Sequence, residues 1–115
     1  MTQDMTLVIR FKDIEHDDDV HSQLERRFRQ IAHDFPEASH FELSLSTEAD
    51  DVSAHALARG KQLDLASHAA ANGVRAAGEL ALDRLQRELR RGHDKRIFGQ
   101  RRSERLKQVR RRAVS

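Results

Sequence analysis

Residues Thr6 to Lys12 alternate, with Leu7, Ile9 and Phe11 on one side and Val8, Arg10 and Lys12 on the other. A period of two over that length predicts a half-buried strand. The period then changes. Val20, Leu24, Phe28, Ile31 and Phe35 recur at steps of four, four, three and four, which places them on one stripe of a helix spanning residues 18 to 35. Asp17, Asp18 and Asp19 fall where the positive end of that helix favours anions, with Asp18 or Asp19 expected as its cap. Pro36, the only proline, follows the last stripe residue and stops the helix.

Phe41, Leu43 and Leu45 alternate with Glu42, Ser44 and Ser46 and predict a second strand, followed by a polar connection from Thr47 to Asp51. Ser53 to Arg59 alternates Ala54, Ala56 and Ala58 with His55 and Leu57, and Gln62 to Ser67 alternates again through Leu63 and Leu65. These two runs read as a hairpin around Arg59-Gly60-Lys61. After Asn72-Gly73 the pattern is helical: Val74, Gly78, Ala81, Leu82, Leu85 and Leu89 line one face, and Gly92 is the expected end.

The element order is therefore β-α-β-β-β-α. A strand, helix and strand in one sheet imply a right-handed crossover, so the first two strands are parallel neighbours and the rest meander antiparallel. Each helix carries one apolar stripe, so both pack on the same sheet face. The fold class expected is α+β, a two-layer sandwich with a four-stranded mixed sheet. The folded domain is expected over residues 1–97, with 98–115 a basic tail that stays disordered until it meets a partner.

Charge changes this picture from a fold to a function. The 115-residue chain has a net charge of only +2, but residues 84 to 112 hold thirteen basic and three acidic side chains, a net +10. The remainder holds eight basic and sixteen acidic ones, a net −8. Such segregation marks a polyanion binder, because clustered cations repel one another until phosphates relieve them. Arginine outnumbers lysine by 17 to 4, and its planar fork suits phosphate oxygens. Arg84, Arg87 and Arg91 share one helix face, while Arg26, Arg27 and Arg29 crowd the solvent side of the first helix. Two helices side by side would join these into one basic surface.

Other chemistries fare poorly. The chain has no cysteine, which removes thiolate metal sites and Cys nucleophiles. It contains no phosphate-binding glycine loop, no nucleophile elbow and no H-E-x-x-H motif. The seven histidines are scattered, with His16 and His21 off the spacing that two ligands on one helix need. No catalytic residue, metal, cofactor or small-molecule substrate is expected. Phe11, Phe28, Phe35 and Phe41 fall on the apolar phase of their elements, so base stacking is not the expected mode, and phosphate and shape recognition of folded RNA remains. No apolar run approaches a membrane span, and the first ten residues, MTQDMTLVIR, lack the basic start and apolar core of a secretion signal, so a soluble cytoplasmic protein without membrane contact is expected.

The last helix, Ala76-Ala77-Gly78-Glu79-Leu80-Ala81-Leu82-Asp83-Arg84-Leu85-Gln86-Arg87-Glu88-Leu89, resembles the A-A-I-D-x-x-I-D-K-L-x-R-Q-L pattern of ribosome hibernation-promoting factors and the related ribosome-associated inhibitor, protein Y. The run Arg90 to Arg96 is similar to that family's K-H-K-D-K ending, and Arg27-Phe28 with Phe35 is similar to its first helix. The likeness covers residues 5 to 97, departs at Gly78-Glu79, where the family has Ile-Asp, and suggests a short form. It implies binding to the small ribosomal subunit and its rRNA, in the channel of mRNA and tRNA, and inhibition of translation in starvation or stationary phase. The RNA-binding set it implies, together with the neighbouring cations, is Arg26, Arg27, Arg84, Arg87, Arg90, Arg91, His93, Lys95 and Arg96. The competing reading is a generic structured-RNA or nucleoid-binding module using the same basic helix surface.

Overall fold

The computed structural model describes residues 5–92, and the basic tail lies outside them. The elements are β1 (Thr6–Lys12), α1 (Asp18–Asp34), β2 (Ala38–Glu48), β3 (Asp51–Gly60) and β4 (Leu63–Ala71), followed by α2 over residues 74–92. The sheet runs in the order β1-β2-β3-β4, with β1 and β2 parallel and the other pairs antiparallel. No described helix is long and apolar enough to cross a membrane.

Register explains why the helices share a face. Ile9 pairs with Leu43, Leu43 with Ala56, and Ala56 with Ser67, and paired residues project to the same side. On that side Phe28 of α1 meets Phe41 edge-on at 5.4 Å between ring centroids. The Ser67 hydroxyl of β4 donates to the Ala81 carbonyl of α2 at 2.8 Å. Both helices therefore cover this face, and between them and the sheet Leu24, Phe28, Phe41, Leu43, Leu45, Leu82, Leu85 and Leu89 are fully buried. Ala54, Ala56 and Ala58, also buried, keep the middle of the sheet low enough for the helices to sit down.

Four local details differ from the pattern-based expectation. Asp17, rather than Asp18 or Asp19, caps α1: its backbone is extended, and its carboxylate accepts from the amides of Asp19 and Val20 at 3.0 and 3.2 Å. The helix ends at Asp34 instead of Phe35, whose own amide bonds back to the Ile31 carbonyl. The β2–β3 connection is a turn at Ala49-Asp50, because Thr47 and Glu48 still pair with Val52 and Asp51. Finally, β4 runs to Ala71 rather than stopping near Ser67. The last two segments carry short or polar side chains whose pairing is a backbone affair and leaves little hydrophobic signal.

Two glycines permit close approach. A Cβ on Gly60 would lie 2.2 Å from the Glu37 carbonyl oxygen, beside the register shift between Ala38 and His40. A Cβ on Gly78 would lie 2.8 Å from Leu24 Cδ1, so α2 rides directly on a buried side chain of α1. The other sheet face carries no described helix. It bears rows such as Thr6–His40–Arg59–Asp64 and Arg10–Ser44–His55–His68.

Candidate nucleic-acid interface

The apolar stripes decide where the cations point. Successive helix residues turn by about 100°, so with Ala77, Ala81, Leu82, Leu85 and Leu89 buried, Arg87 and Arg90 lie on the crest away from the sheet. Arg84 and Arg91 lie on the flank nearer β4, and the Arg84 Nη1 donates to the His68 carbonyl of that strand at 2.5 Å. Arg84, Arg87, Arg90 and Arg91 are all exposed. On α1, Arg26 is exposed and opposite the buried stripe.

Arg27 is placed differently. Only 31% exposed, it crosses to α2, where Nη2 pairs with the Asp83 carboxylate and Nη1 donates to the Glu79 carbonyl at 3.3 Å. Its guanidinium is thus a clamp between the helices, and the surface joining α1 to α2 is interrupted by a neutralised pair. Arg29 is likewise held by Glu25 on its own helix at 2.9 Å. Sequence reading had no signal for the Arg27–Asp83 pair, since the partners stand 56 positions apart.

The remaining cations divide by whether a carboxylate holds them. Arg10 pairs with Glu42, Arg59 with Asp64 and Arg75 with Glu79, while Arg91 has a looser contact with Glu88 at 3.8 Å. Among the described residues Arg26, Arg84, Arg87 and Arg90 have no carboxylate partner. Three of those four are on the second half of α2. His93, Lys95 and Arg96, also expected at RNA, lie outside the described residues.

The opposite end of the domain is acidic. Asp13, Glu15, Asp17, Asp18 and Asp19 fall where β1 runs into α1, and Glu48, Asp50 and Asp51 at the adjacent β2–β3 turn. All eight are exposed. The arrangement sets an acidic end apart from the arginines on the second half of α2, a polarity that favours anions at the latter. Among the described residues no group of three or more His, Cys, Asp or Glu side chains is disposed to hold a metal ion.

The fold and these cations define an α+β sandwich whose second helix offers unneutralised arginines to solvent. The chain belongs to the Sigma 54 modulation protein / S30EA ribosomal protein family, whose model matches residues 7–97. That family is ribosome-associated. Among solved structures, the chain is similar to a ribosomal subunit interface protein from Coxiella burnetii, with a TM-score of 0.72 and 12% identity over 79% of this chain and 100% of that one. It is also similar to the N-terminal domain of Protein Y from Thermus thermophilus, with a TM-score of 0.64 and 16% identity over 76% of this chain and 98% of that one. No curated protein sequence matches it.

Proposed function

We propose that this protein is a non-enzymatic hibernation factor of the cytoplasm that binds small-subunit rRNA in the mRNA and tRNA channel and inhibits translation in starvation or stationary phase. The observation that carries this reading is the exposed, carboxylate-free set Arg84, Arg87 and Arg90 on one helix of a ribosome-associated fold. Guanidinium groups spaced along a rigid rod meet backbone phosphates without reading bases, which suits folded rRNA. The resemblance of the last helix to hibernation-promoting factors supports the same choice. Arg27 leaves the RNA-binding set and becomes a structural clamp, and the binding surface is weighted towards α2.

Co-sedimentation with small subunits at moderate salt, paired with cell-free translation, tests it. Saturation at one copy per subunit with parallel loss of translation is the expected result. Graded binding to any structured RNA, with translation unaffected, would instead establish the generic RNA-binding module.

A further inference from the structure

The sheet face without described helices carries a pair of imidazoles that stand apart from the α2 arginines of the proposed function. His55 of β3 and His68 of β4 are directly opposed in register, and their ring centroids lie 4.5 Å apart. Both side chains are exposed. Beneath them Ser53, a buried polar residue at 1% exposure, places its hydroxyl 2.8 Å from Nε2 of His68. That contact occupies one ring nitrogen of His68 and leaves Nδ1 for another partner. The backbone of His68 is fixed from the other side, where Arg84 donates to its carbonyl.

We propose that His55 and His68 form a surface site for a borderline divalent cation such as Zn(II), Ni(II) or Cu(II), bridging β3 and β4. Two imidazole nitrogens at about 2.0–2.1 Å from one ion, at angles between square-planar and tetrahedral, put ring centroids about 4.5–5.2 Å apart. The observed spacing falls in that range. Ser53 acts as the positioning residue that orients His68, in the way outer hydrogen bonds orient metal-binding histidines. No third side chain of the metal-binding types joins the pair among the described residues, so water completes the coordination. The ion would tie the two strands together at the residue that anchors Arg84, and the site stands whether or not α2 meets RNA.

Nickel titration of the full chain, followed residue by residue in amide NMR spectra, tests the site. One equivalent of paramagnetic Ni(II) should broaden the amides around His55 and His68 before any others. Calorimetric titration should show His55→Ala or His68→Ala weakening Zn(II) binding by about tenfold or more, since the second ligand acts at high effective concentration. Ser53→Ala should weaken it by a smaller factor. First broadening at His16, His21 or His33, or an unchanged Zn(II) affinity in folded His55→Ala, would overturn the proposal. The wild-type nickel map decides the matter even where a variant folds poorly.

Discussion

Removing Arg84 and Arg87 together, each to alanine, separates electrostatic recognition from folding. Both side chains are exposed and neither holds a carboxylate, so their loss strands no buried charge. Stability should stay within about 0.5 kcal/mol for each, apart from the small worth of the Arg84 bond to His68. On duplex-like nucleic acid each neutralised phosphate contributes about 0.9 to the slope of log affinity against log salt, so the pair accounts for about 1.8. Raising salt fourfold, from about 50 to about 200 mM, should therefore shrink the affinity gap between wild type and variant by about tenfold. The assay is anisotropy of labelled protein titrated with small subunits over a salt series. Arg27→Ala is the contrasting control. It should keep the wild-type slope but lose about 1 kcal/mol of stability, as a partly exposed ion pair and a carbonyl hydrogen bond disappear. For a domain this size that lowers Tm by about 4–8 °C. A double variant with the full wild-type slope, or an Arg27 variant that loses slope at unchanged Tm, refutes the assignment of roles.

Two further substitutions test the fold. Asp17→Ala removes the cap that accepts from two α1 amides and should cost about 1 kcal/mol, read by urea denaturation, whereas Asp18→Ala and Asp19→Ala should each cost less. Gly60→Ala drives a methyl group into the Glu37 carbonyl, and because that contact is backbone it should cost about 1–3 kcal/mol, visible as a lower thermal midpoint.

Much of the architecture was legible because hydrophobic side chains report their own periodicity. Leu7, Ile9 and Phe11 locate β1 to the residue, and the stripe from Val20 to Phe35 locates α1 within one residue at its end. The right-handed crossover rule then gave the parallel β1–β2 pair without any further information. Legibility failed where the chain is held by backbone alone. Ala69, Ala70 and Ala71 extend β4 without any strand-like side chain, and Thr47 and Glu48 pair at the sheet's polar end. The cationic site divided along the same line. Arg84, Arg87 and Arg91 were readable from helical spacing, but the clamp of Arg27 on Asp83 and the placing of His55 against His68 are tertiary facts. Composition does not foretell them; only the relative position of helices and strands does.

The contact beneath Gly78 has a bearing on the proposed binding surface that its lack of charge conceals. Because that position has no side chain, α2 settles onto Leu24, and the gap between the two rods is set there. A bulkier residue would prop the rods apart like a thicker gasket and carry Arg84, Arg87 and Arg90 outward with their backbone. The stand-off of those arginines from α1 is thus governed by an uncharged, hidden position, so on the proposed surface the setting of geometry and the supply of charge reside in different residues.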